Sequence, residues 1–214
     1  MKSLVLVSML LAAFAASSAP VTFSLSPVAK SAAITIPKDS IYQISDKFTD
    51  HHSHEFKLSE RAGKVQLVAM FYSSCQYACP LIIDSALGVE HALKPQARSK
   101  LAVLFISLDP ARDTPAVLAV LADKRKLDRL RWTLARTAPL SVAKIAALLG
   151  VRYRELANGE FNHSSQLILL DTQGRILART EKMGGVPEPE FLTAVESALA
   201  KEVNSERAPA STAN

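Results

Sequence analysis

Three apolar runs of strand length punctuate the chain. They are KVQLVAMFY at 64–72, LAVLFISL at 101–108 and LILL at 167–170, the apolar part of a strand expected over 161–171. Continuous apolar runs of this length suit strands buried on both faces, as in a parallel sheet centre. Between them lie segments with helical spacing. Residues 81–93 put Leu81, Ile82, Ser85, Leu87, Val89 and Leu93 on shared faces. Pro115 opens a helix to about residue 126, with Thr114 as its N-cap. A helix from Ser141 to Leu149 stops at Gly150. Short strand patterns fall at 41–48 and 132–135. Residues 175–180 fold back after a turn at Gly174 as a hairpin, and 189–201 form the last helix. Strands alternating with helices predict an α/β sandwich, a central mixed sheet flanked by helices. The closing order of hairpin then helix is that of a thioredoxin-like fold.

The ends read differently. Lys2 precedes an apolar run over 4–16, followed by small residues Ala15, Ala16, Ser17, Ser18 and Ala19. This is the pattern of a secretory signal peptide over 1–19. The run falls short of the roughly 20 residues that span a bilayer. No cysteine lies near the cut for lipid attachment. Residues 20–38 are rich in Pro, Ser and Ala and predict an extended lead-in. The body is expected over 39–203 and a disordered tail over 204–214. Export predicts a periplasmic or otherwise extracytoplasmic protein, soluble after cleavage, in a compartment where disulfides persist.

Composition narrows the function. The 214 residues carry 25 Lys+Arg against 20 Asp+Glu, a net charge of +5, with no basic run, so nucleic-acid binding is not indicated. Aromatics at 6% leave no stacking platform for single strands. Two cysteines exclude a multi-disulfide scaffold and a four-thiolate zinc site.

Those two cysteines stand in Cys75-Gln76-Tyr77-Ala78-Cys79-Pro80, between the first buried strand and a helix. Pro80 fits a first helical turn and puts Cys79 at or near the N-cap. There the helix dipole is expected to lower the Cys79 thiol pKa. A structural disulfide closing so small a ring would stabilise little. The pair therefore reads as reactive or metal-binding. His163, in Phe161-Asn162-His163-Ser164, precedes a strand whose loop faces the cysteines in a thioredoxin-like arrangement. Thioredoxins place a cis-proline there, but this chain has no proline between Pro139 and Pro187. Two thiolates and an imidazole form a soft donor set suited to Cu(I) and, with an added ligand, to Cu(II). His51, His52 and His54 form a second histidine cluster, read first as a polar turn between short strands and second as an auxiliary metal site. His91 reads as a solvated or partly packed helix residue.

These pieces together resemble the SCO/SenC family of thioredoxin-like copper proteins. The resemblance rests on Cys75 to Pro80, on Ser107-Leu108-Asp109-Pro110-Ala111-Arg112-Asp113-Thr114-Pro115, on Trp132-Thr133-Leu134, on Asn162-His163-Ser164-Ser165, and on Leu170-Asp171 with Gly174. It implies a copper ion held by Cys75, Cys79 and His163. It implies a metallochaperone rather than an enzyme, delivering copper to the copper-A centre of cytochrome c oxidase or reducing that centre's thiols. Asp109 and Asp113 would shape their loop rather than bind metal. The implied partner is a copper-A-containing respiratory subunit, with a copper donor protein as a second candidate. No small-molecule substrate is implied, and membrane contact comes only through the partner. Gln76, Tyr77 and Ala78 depart from the family, many of whose members have Pro after the first Cys and Asp in the middle. That departure leaves another copper-A enzyme, such as nitrous oxide reductase, open as the target.

The alternative is a thiol–disulfide oxidoreductase using Cys75 and Cys79 as its redox pair, with helix position favouring Cys79 as the low-pKa thiolate and exposure leaving Cys75 open as the attacker. A sensor that signals by binding a partner is not separable from the chaperone by sequence. Peroxidase chemistry of the peroxiredoxin type needs a Pro-x-x-x-Thr-x-x-Cys loop, which is absent before either cysteine.

Overall fold

The computed structural model describes residues 36–207, Gln76 excepted, with side chains to Glu202. The expected export signal over 1–19, most of the lead-in over 20–38 and the end of the expected tail, 208–214, lie outside the described residues.

The central strands form where the sequence is uniformly apolar. β3 (Gln66–Phe71) and β4 (Ala102–Ser107) are buried at every position, and they pair in parallel. β5 (Trp132–Thr137) adds a third parallel strand beside β4. β8 (Leu167–Leu170) runs antiparallel on the other side of β3, and β9 (Ile176–Thr180) pairs back on β8. β1 (Lys47–Asp50) and β2 (Glu55–Lys57) make a hairpin whose β1 runs antiparallel to β5. The seven-stranded order is β2-β1-β5-β4-β3-β8-β9. The sheet is mixed, as its sequence predicts.

Among the described residues five α-helices accompany it: α1 (Ala78–Ala92), α2 (Pro95–Arg98), α3 (Pro115–Lys124), α4 (Pro139–Leu149) and α5 (Pro189–Arg207). α1 packs on β3 and β8, α3 on β5 and β1, and α5 on β9. Thr114 caps α3 by accepting from the Val117 N–H at 3.4 Å, with Pro115 in the first turn. Gly150 ends α4 in the left-handed conformation, φ +67°.

The core is aromatic at its centre. Phe105 stacks tilted against Phe71 and Trp132, with ring centroids 5.6 and 5.3 Å apart. The Trp132 indole N–H donates to Glu90 at 2.8 Å, and Glu90 also pairs with Arg131, so its buried carboxylate is satisfied. Gly88 is a close-approach position. A Cβ there would meet the Gly185 carbonyl oxygen at 2.2 Å, so only glycine lets α1 lie against the 184–185 segment.

Several elements differ from expectation. Residues 41–43 form a short 3-10 turn, and the strand begins only at Lys47. The run 161–171 is two strands, because β7 (Phe161–His163) leaves the main sheet to pair with β6 (Tyr153–Glu155) as a separate ribbon. The last helix runs past Lys201 to Arg207, into the span read as a disordered tail. β2, β6 and α2 are too short for periodicity to announce.

Candidate metal centre

The loop between β3 and α1 carries both cysteines. The Cys79 N–H donates to Cys75 Sγ at 3.4 Å, and the Tyr72 N–H donates to Cys79 Sγ at 3.4 Å. The first turn of α1 and the end of β3 thus turn their free N–H groups toward sulfur. The two cysteines are not joined.

His163 arrives on the β6–β7 ribbon. Its Nδ1 lies 3.3 Å from the Ser164 carbonyl oxygen, which can only accept, so Nδ1 carries the proton. Nε2 is then the unprotonated nitrogen, and it faces Cys79 Sγ at 4.0 Å. Donor atoms of Cys75, Cys79 and His163 all lie within 4.8 Å of one another. Bonds of about 2.3 Å to sulfur and about 2.0 Å to imidazole place two donors of one first-row ion roughly 4 Å apart. The site therefore has the span and the softness of a Cu(I) site. No other group of three such ligands is gathered this closely among the described residues.

Neighbouring residues hold the two halves together. Tyr72 donates its hydroxyl to Glu160 at 2.8 Å and accepts from the Phe161 N–H at 3.4 Å. Its ring meets His163 edge-on with centroids 5.8 Å apart. Asp113, fully buried, accepts from the Ser73 N–H, the Ser73 hydroxyl and the Ser107 hydroxyl, and so pins the loop that leads to Cys75. Arg112 pairs with Asp109 and donates to the Gly159 carbonyl, tying this acidic loop to the turn before β7. Asp109 and Asp113 thus shape the loop, and neither joins the ligand group.

The expected thiol order is reversed. Cys79 is 3% exposed, and burial pushes its thiol up, reinforced by the neighbouring Cys75 and Asp113 charges. The donor N–H of Tyr72 only partly opposes this. At Cys75 burial also acts upward, but hydrogen bonds from Cys79 and from the Tyr77 and Ala78 backbone outweigh it and hold the thiol below its usual value. The residue before the helix, not the one in its first turn, collects the N–H groups. Burial likewise lowers His163, which favours the neutral, ligating imidazole.

Sequence reasoning missed Tyr72 and Glu160, which touch across 88 positions. It also missed the exposure of Tyr77, 84% accessible between the two cysteines. A cleft of about 400 Å³ lined by Tyr72, Cys75, Tyr77 and Glu160 opens on one side of Cys75. A second of about 330 Å³, with Cys79, Ile83, Leu121 and Lys124 in its wall, also reaches Cys75.

A family model, SCO1/SenC, matches residues 38–199. The chain belongs to the SCO1/SenC family. It is 30% identical over 87 residues to an SCO2-like protein of Rickettsia typhi, covering 40% of this chain and 42% of that relative. A SCO1/SenC family lipoprotein from Bacillus anthracis superposes with a TM-score of 0.63 at 18% identity, over 71% of this chain and 91% of that one. Bradyrhizobium japonicum ScoI, solved with copper bound, superposes with a TM-score of 0.57 at 21% identity, over 72% and 96%. These likenesses establish the shared fold. Among the described residues no helix is long and apolar enough to cross a membrane.

Proposed function

We propose that this chain is an exported copper carrier that binds one Cu(I) through Cys75, Cys79 and His163. It passes the ion to the copper-A centre of a respiratory oxidase subunit. The observation that carries this reading is the convergence of two sulfurs and an imidazole Nε2 within 4.8 Å. Family membership and the copper-bound ScoI relative support it. Copper is cargo here. Three donors at an open cleft leave Cu(I) open to attack by an incoming partner thiolate, so transfer proceeds by ligand exchange rather than by release into water. The two clefts meeting at Cys75 supply the approach.

A second reading is favoured by the thiol order. Cys75 as thiolate attacks a partner disulfide, forming a mixed disulfide and releasing one partner thiolate. Cys79 then attacks Cys75 Sγ and releases the second, so the partner gains two electrons and the chain ends as a Cys75–Cys79 disulfide. One experiment separates the two. The Cu(I)-loaded, reduced protein is mixed with a reduced, metal-free copper-A domain, and copper is followed on both. The proposal expects near-complete transfer, with both proteins keeping their thiols. Retention of copper, or turnover only with an oxidised copper-A domain, favours the exchange reading.

A further inference from the structure

The histidine turn between β1 and β2 divides into a structural residue and two available ones. His51 is buried, and its Nδ1 accepts from the Leu134 N–H at 3.3 Å. That bond leaves the proton on Nε2, so His51 has no free donor nitrogen. Its ring lies against that of His52, centroids 4.0 Å apart. His52 and His54 remain, with ring centroids 6.2 Å apart.

Asp50 organises this turn. Its Oδ1 accepts from the backbone N–H groups of His52 and His54 at 2.8 and 2.9 Å. Its backbone N–H donates to the His54 carbonyl at 3.0 Å, and Ser53 takes the left-handed conformation at φ +66°. Oδ2 stands 3.8 Å from His54 Nδ1. That is too long for a hydrogen bond. Two donors of one divalent ion, at about 2.0–2.2 Å each, stand roughly 3.3–3.6 Å apart at a tetrahedral angle, so a shift of a few tenths of an ångström by the exposed His54 ring brings this pair to sharing distance. Glu55 next door is already paired with Lys47 at 2.7 Å.

We propose that Asp50, His52 and His54 form a second metal site, for a divalent transition cation of the Cu(II) class. Two imidazoles and a carboxylate are borderline-to-hard donors, which suit Cu(II) or Zn(II), whereas the thiolate centre suits Cu(I). The donors are not gathered in a closed cage. His54 is 80% exposed at its side chain and swings onto the ion when it binds. The location is remote from the cysteines. The turn follows the end of β1, which runs antiparallel to β5, and His51 sits beside Leu134 near the start of β5. Cys75 follows the opposite, C-terminal end of the parallel strands.

The test uses the full chain with Cys75→Ser and Cys79→Ser, which removes the thiolate centre and keeps this inference independent of the copper-carrier reading. Cu(II) is titrated against glycine as competitor, with electron paramagnetic resonance of the loaded protein. The expected result is one Cu(II) per chain with nitrogen hyperfine structure. Adding His52→Ala, at a half-buried position, and His54→Ala, at an exposed one, with the fold checked by an unchanged melting temperature, weakens binding at least tenfold. Absence of stoichiometric binding, or equal affinity without the two histidines, overturns the proposal.

Discussion

Asp113 holds Ser73 by both its backbone N–H and its hydroxyl, 40 residues away in sequence and two positions before Cys75. One carboxylate thereby fixes where the metal loop leaves β3. Its third donor, the Ser107 hydroxyl, ties the same point to the end of β4. Asp113→Asn replaces one acceptor oxygen by an NH₂ that confronts these donors. The expected loss is about 1–3 kcal/mol of stability, the penalty of a buried unsatisfied polar group. Cu(I) affinity should fall by up to about tenfold, because the loop must then be ordered on binding. Denaturant unfolding and chelator competition measure the two effects, and unchanged values in both would remove Asp113 from this role.

The reversed thiol order makes a kinetic prediction. In the reduced, metal-free protein Cys75 should alkylate on the order of tenfold faster than Cys79 near neutral pH, because it is both more accessible and the better thiolate. Cys75→Ser should abolish the fast phase of iodoacetamide labelling, and Cys79→Ser should spare it. Equal rates at the two sites would contradict the assignment.

His51 predicts a pH dependence of stability. Burial, and next the charge of His52, lower its pKa in the folded protein. The unfolded residue takes up its proton near pH 6.5, about the ordinary value. The folded one does so only at lower pH. In that window the unfolded chain binds more protons, so stability is full above about pH 6.5 and declines as pH falls toward the folded value. The decline is at most about 1.4 kcal/mol per pH unit for each such group. His163, lowered by burial, adds a second contribution in the metal-free protein. Unfolding midpoints between pH 7.5 and 5 should fall, and His51→Gln should flatten the slope. A slope unchanged by the substitution would show that His51 takes no part.

The sheet centre and the place of the cysteine motif were legible in sequence for a shared reason. β3 and β4 are buried on both faces, so burial alone writes a continuous apolar run. Cys75, Cys79 and Pro80 sit where a strand meets a helix, a junction that the run and the proline mark. What sequence hid was set by tertiary contact. Residues 161–171 look like one strand, yet β7 peels away because Phe161 packs on Tyr72 and the ribbon pairs with β6. That departure carries His163 to the sulfurs. The thiol order was misread because helix position favours Cys79 in isolation. Burial under the β3 end and the N–H groups gathered at Cys75 decide it in the fold.

The most direct measurement is a Cu(I) titration of the reduced protein against a chelator, beside His163→Ala. The account predicts one tightly held Cu(I) per chain, at least about tenfold weaker without the imidazole, since the loss of one of three ligands costs at least about 1.4 kcal/mol. Equal affinity in the two proteins would contradict a site built from Cys75, Cys79 and His163.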